Sequence, residues 1–210
     1  MHRFTNIIFA LAIGILLLSC TGKPYAPESS QLNFFDLERA QEYRSRGATY
    51  YNLNQYQQAV RDYDEAILLD PHFALAYSNR GNAYTVLGRY QLAIDDYNQA
   101  ITLDHKLIET HLHRGFAYYQ LGQFQRSIED YSNGIGRGLT SAEIYNKRGA
   151  AYHILDQLEE AITDYDKAIS LDPTLSMAYL NRGIAYSQIG KHTESAEDKA
   201  QACALNNQHC

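Results

Sequence analysis

The chain has 210 residues, 45% hydrophobic, 20% charged and 12% aromatic, with a net charge of −6. Its length allows one or two domains, and its composition is that of a globular protein rather than a disordered, collagenous or disulfide-dense one. The acidic balance excludes a phosphate-binding surface of Lys and Arg, so nucleic acid is not an expected partner.

The chain opens Met1-His2-Arg3 and then runs apolar from Ile7 to Leu18, twelve residues. A bilayer-spanning helix needs about 20, so this run is too short to span and reads instead as a secretory signal over residues 1–19. Leu17-Leu18-Ser19-Cys20 closes it. This resembles the bacterial lipobox, whose cysteine is acylated and becomes the mature N-terminus. The resemblance implies lipidation at Cys20 and palmitate-type acyl chains. With Thr21 rather than Asp next, it implies the outer membrane, with the domain facing the periplasm. Residues 20–35 hold Pro24, Pro27 and a Ser29-Ser30 pair and read as a flexible tether.

From residue 36 the sequence repeats. Arg-Gly occurs at Arg46-Gly47, Arg80-Gly81, Arg114-Gly115, Arg148-Gly149 and Arg182-Gly183, a step of 34 each time. A Tyr follows each Gly by three residues, at Tyr50, Tyr84, Tyr118, Tyr152 and Tyr186. Five units tile 40–73, 74–107, 108–141, 142–175 and 176–209.

Each unit carries two helical stripes. In the first unit, Tyr56, Ala59, Val60, Tyr63, Ala66 and Ile67 fall on one face of a helix. Asn54, Gly88, Gly122, Asp156 and Gly190 separate the two stripes and suit left-handed backbone. Asp70-Pro71 and Asp172-Pro173 close the second helix. In the third unit, Gly134-Ile135-Gly136-Arg137-Gly138 is expected to fray that helix and make the least regular junction. Thr140 and Glu143 offer a capping box for the helix after it.

Tyr77-x2-Arg80-Gly81-x2-Tyr84 with Ala93-x3-Tyr97 resembles the tetratricopeptide repeat, with Tyr in the usual Trp slot. The resemblance covers 40–209. It implies an all-α, right-handed superhelical solenoid of five helix-turn-helix repeats in a domain spanning 36–210. Gly47, Gly81, Gly115, Gly149 and Gly183 then let paired helices approach where a Cβ would clash. The Arg before each Gly departs from the family pattern, and an Asp follows sixteen residues on: Asp62, Asp96, Asp130, Asp164 and Asp198. Five joint departures imply that each Arg, such as Arg114, meets an Asp such as Asp130, within a unit or across a junction. The alternative is an Arg row that binds an anion.

In this family the first helices line a concave groove. In the third unit the stripe is Glu109, Leu112, Phe116 and Tyr119. Together with Leu75, Asn82, His153, Met177, Leu180 and Ile184, it forms the candidate partner-binding groove. The resemblance to envelope lipoproteins of this type implies a non-enzymatic adaptor for cell-wall hydrolases or proteases, or an assembly factor for pili or secretion pores. No metalloprotease, serine-hydrolase or Cys-x-x-Cys motif occurs. No cofactor and no metal are expected, and His111 and His113 are two apart and poorly placed to share an ion. The last unit replaces Ala and Tyr with Ser195 and Lys199, which suits an end repeat. A second copy pairing through a repeat end is the alternative partner. Cys203 and Cys210 form a candidate disulfide in an exported chain, with an intermolecular bridge as the rival.

Overall fold

The computed structural model describes residues 34–206. The signal, the tether up to residue 33, Cys20 and Cys210 lie outside the described residues. Among the described residues ten helices occur in sequence: α1 Phe34–Asn52, α2 Tyr56–Leu69, α3 Ala74–Val86, α4 Tyr90–Leu103, α5 Ile108–Gln120, α6 Phe124–Gly136, α7 Ala142–Ile154, α8 Leu158–Leu171, α9 Ser176–Gln188 and α10 His192–Leu205. No strand occurs among the described residues, and no helix there is long and apolar enough to cross a membrane. α1 begins at Phe34, two residues inside the stretch read as tether.

Each helix packs on its chain neighbour, so the helices form antiparallel hairpins stacked in order. The first helices of successive units also touch, α1 to α3, α3 to α5, α5 to α7 and α7 to α9. The second helices are spread further apart. This inequality curves the stack and puts α1, α3, α5, α7 and α9 on its concave side.

The core is a small–large–small sandwich. Tyr63, Tyr97, Tyr131 and Tyr165 are at most 2% exposed. Tyr63 packs beside Ala83 of the next unit, Tyr97 beside Ala117 and Tyr165 beside Ala185. On its other side each ring lies against the glycine of its own unit. A Cβ on Gly47, Gly81 or Gly149 would stand 2.7, 2.6 or 2.8 Å from a carbon of that ring. At Gly115 the Asp130 Cβ and the Tyr131 ring would both stand at 3.2 Å, and at Gly183 the Asp198 Cβ at 3.1 Å. Burial of the ring pushes the Tyr63 hydroxyl up to about 12.

Turns inside the hairpins take the expected left-handed backbone. Asn54 and Asp156 have φ of 59° and 60°, and Gly88 stands at 72°. Between units, Asp70, Asp104 and Asp172 leave the helix in extended conformation. Their Oδ1 atoms accept the backbone N–H two residues on, at 2.8–2.9 Å. This Asx turn explains why the second unit needs no proline after Asp104.

The α6–α7 junction differs, though by a different route from the one expected. α6 is not frayed at its glycines: it continues through a buried Gly134 to Gly136. The chain then reverses at Gly138, φ 99°, and the Leu139 N–H returns to the Gly134 carbonyl at 3.1 Å. Nor does Thr140 cap α7. Its Oγ1 turns back to the Gly138 carbonyl, and Ser141, in extended conformation, accepts from the Ile144 N–H at 3.3 Å. The N-cap therefore falls one residue later than expected, and Glu143 no longer stands at the third helical position of a capping box.

Both ends of the stack are polar. In units two to five, Ala76, Ala178, Ala83, Ala117, Ala151 and Ala185 are fully buried at unit junctions. The same register positions of α1 are Glu42 and Thr49, both exposed. At the other end the Tyr position becomes the exposed Lys199. Ser195, by contrast, is 4% exposed and faces inward, so it is not part of the polar cap.

Candidate functional site

Every Arg of the Arg-Gly pairs is a bidentate partner of the Asp sixteen residues on. Nε and Nη2 of Arg114 donate to Asp130 Oδ2 and Oδ1 at 2.8 and 2.6 Å. Arg46–Asp62, Arg80–Asp96, Arg148–Asp164 and Arg182–Asp198 repeat this geometry. The expected pairs are thus all inside units. The junction is joined by the third nitrogen. Nη1 of Arg80, Arg114, Arg148 and Arg182 donates backward to Asp64, Asn98, Ser132 and Asp166, at 2.6–2.9 Å.

The sequence reading missed that acceptor row. Its signal is a hydrogen-bond acceptor at one register position in four units, ending in Ala200 of the fifth, which has no following unit to hold. The guanidiniums also lie over tyrosine rings, as Arg80 does over Tyr77 at 5.5 Å. With fork and Nη1 both engaged, Arg80, Arg114, Arg148 and Arg182 are a stacking device and not an anion site.

The third unit replaces that tyrosine with His111. It is buried, and its Nδ1 lies 3.2 Å from Asp130 Oδ1. Its role is packing and hydrogen bonding within the clamp. Among the described residues no group of three His, Cys, Asp or Glu is placed to hold a metal ion. Cys203 is disulfide-bonded, while its expected partner Cys210 lies outside the described residues.

The concave side is a trough of overlapping cavities. One of about 380 Å³ is lined by Tyr51, Asn82, Leu112, His113, Phe116 and Lys147 among others. A second, of about 350 Å³, adds Leu75, Asn79 and Glu109. A third, of about 240 Å³, lies between Phe116, Tyr119, Tyr131, Lys147 and Met177. A smaller one at Ala48, Tyr51 and Asn82 closes the N-terminal end. Shared walls make these one continuous path over all five units.

Leu75, Asn82, Leu112, Phe116, Tyr119 and Met177 therefore meet along the trough. His153, Leu180 and Ile184 line none of these cavities. His153 Nε2 is instead 2.8 Å from Gln188 Oε1 of the next unit. Two wall residues, His113 and Lys147, escaped the sequence reading. They occupy one register position, next to the chosen stripe on the helical wheel, and that adjacency was the available signal.

The walls are braced from the core. The Tyr97 hydroxyl donates to Asn82 Oδ1 at 2.8 Å and lies 3.0 Å from Thr85 Oγ1. Asn181 Nδ2 donates to Asn146 Oδ1 at 3.0 Å across units four and five. The Lys147 ammonium rests over the Phe116 ring at 5.5 Å, and the His113 imidazole stacks on Tyr97 at 6.1 Å. His113 is open to water, yet protein curves around it on several sides. The resulting desolvation holds its pKa below the ordinary 6.5.

The comparisons with known proteins agree with this architecture. A crystal structure of MamA protein matches with a TM-score of 0.75 at 24% identity, covering 81% of this chain and 93% of that one. MamA 41-end from Desulfovibrio magneticus RS-1 matches at 0.77 and 20% identity, covering 81% and 97%. YrrB, described as a TPR protein with an unusual peptide-binding site, matches at 0.73 and 22% identity, covering 82% and 89%. At these identities the likeness is one of fold. No curated protein sequence matches the chain. The family model for the TPR repeat matches residues 47–86, 81–122 and 151–190, more than half of the sequence. A unit length of 34, five stacked hairpins and these matched blocks agree: the chain belongs to the tetratricopeptide-repeat family.

Proposed function

We propose that this protein is a non-enzymatic adaptor of the bacterial cell envelope. It is tethered by an acylated Cys20 to the periplasmic face of the outer membrane and docks a partner peptide in the concave trough. The observation that carries the docking role is the trough's composition. Amides at Asn79, Asn82, Asn146 and Asn181 stand beside apolar walls at Leu112, Phe116, Tyr119 and Met177. Amides pair with an extended backbone, and the apolar cavities take its side chains. YrrB, similar in fold, is described as having a peptide-binding site, which supports the same use here. The exposed Glu42, Thr49 and Lys199 at the stack ends favour the trough over end-to-end pairing of copies.

The test is selection of displayed random peptides on the folded protein, followed by calorimetry of the winners. Phe116→Asp with Met177→Asp should lower affinity at least tenfold while circular dichroism stays unchanged. Peptides that bind the double variant equally well would sink the trough as the docking site. Anchoring is tested separately: Cys20→Ser should abolish fatty-acid labelling and release the protein from membranes.

A further inference from the structure

α1 is 19 residues long, whereas α3, α5, α7 and α9 have 13 each. The surplus is the opening stretch Phe34–Arg39, which has no counterpart in the other first helices. Its apolar residues are exposed: Phe34 is 68%, Phe35 73% and Leu37 41% accessible. The two rings meet edge to face at 6.3 Å. Asp36, Glu38 and Arg39 surround this tip, so it is a compact amphipathic end rather than a continuous greasy face.

Two features identify what covers it. The outer face of α1 further along carries Glu42 and Thr49, so a repeat from another copy has no apolar surface to stack on there. The chain itself ties the tip to lipid. Thirteen residues separate Cys20 from Phe34. Thirteen residues reach at most about 45 Å when extended and about 20 Å as a flexible coil. With Cys20 acylated, the tip cannot leave the neighbourhood of the bilayer surface. Exposed rings with a polar collar suit the headgroup boundary, where aromatic side chains bury their faces and charges stay wet.

The geometry points to the Phe34–Leu37 tip as a membrane foot that seats in the headgroup layer of the bilayer holding Cys20. The inference rests on the lipid-anchor reading above. The foot gives the protein a second attachment beside its acyl chains and fixes which way the trough faces. The α1–α2 turn at the far end of α1 stands off the surface.

The sequence contains no Trp, so one introduced Trp is a unique reporter. Phe35→Trp probes the foot. Leu53→Trp, at a position 60% exposed in the α1–α2 turn, probes the far end, about 27 Å along the helix axis. The full chain, processed and purified from bacterial membranes, is reconstituted into phosphatidylethanolamine–phosphatidylglycerol vesicles with brominated acyl chains. Expected is a blue-shifted Phe35→Trp emission that loses most of its intensity to bromine, with Leu53→Trp unchanged. If acylated protein is bound yet Phe35→Trp is unquenched, or both reporters are quenched alike, the anchor stands and the foot falls. A Phe35→Trp signal that is concentration-dependent and indifferent to bromine assigns the tip to a second copy and also overturns the foot. Protein lacking acyl chains and absent from membranes overturns the anchor reading, and the foot with it.

Discussion

The Arg80 Nη1 lies 2.6 Å from Asp64 Oδ1, while the same guanidinium grips Asp96 with its other two nitrogens. One side chain thus closes its own hairpin and latches it to the hairpin before. The two links differ in burial. The Asp96 side chain is 7% exposed and that of Asp64 is 48%. Asp64→Ala should therefore cost about 0.5 kcal/mol. Asp96→Ala leaves the Nε and Nη2 fork of Arg80 without its buried partner and should cost about 3 kcal/mol. Urea denaturation of the two variants measures the gap, and equal losses would contradict a clamp with a buried and an exposed arm.

The glycines separate by the same logic. Gly81→Ala forces a methyl within 2.6 Å of a Tyr97 ring already wedged against Ala117. The helix-propensity gain of about 1 kcal/mol is outweighed by overpacking of up to about 3 kcal/mol. Gly136, at the end of α6, has open space around it. Gly136→Ala should raise the melting temperature, and Gly81→Ala should lower it.

Gly134 holds the position where Ala66, Ala100, Ala168 and Ala202 are buried. Its missing Cβ is filled by Leu112, whose Cδ2 would lie 2.7 Å away. Leu112 also walls the trough. Gly134→Ala should therefore displace Leu112 and weaken peptide binding with little net change in stability. In a Leu112→Ala background the same substitution should stabilise by about 1 kcal/mol. A chemical-denaturation cycle over the four proteins reads the coupling; additive effects would dissociate the two residues.

His113 gives the trough a pH dependence. Desolvation lowers its pKa in the folded protein below 6.5. The unfolded chain therefore binds more protons in the interval between the two values. Stability rises with pH across that interval and is lost as pH falls from about 6.5 toward the folded pKa. NMR titration of the His113 ring should give a midpoint below 6.5, and His113→Gln should flatten the stability profile there.

Much of the fold was legible because its signals are local. Arg-Gly recurs every 34 residues, each helix shows its own apolar stripe, and Asn54 and Gly88 mark turns through their own backbone preference. Partners within one hairpin were nearly legible too, since the Arg of Arg114 and the Asp of Asp130 recur together in all five repeats. The trough was half legible: Phe116 and Tyr119 announced themselves as apolar, whereas Lys147 and His113 look like ordinary solvent-facing residues until the curve of the stack encloses them.

The sequence by itself determined the repeat length, the helix-turn-helix unit and the pairing of Arg with Asp. Only the tertiary structure decided that Arg80 also holds Asp64, that Gly134 is room for Leu112, that Ser141 and not Thr140 caps α7, and that His153 turns to Gln188. Periodicity fixes which face of a helix is buried. It does not fix what stands across from that face, because the contacts between hairpins depend on the angle and offset at which whole units stack.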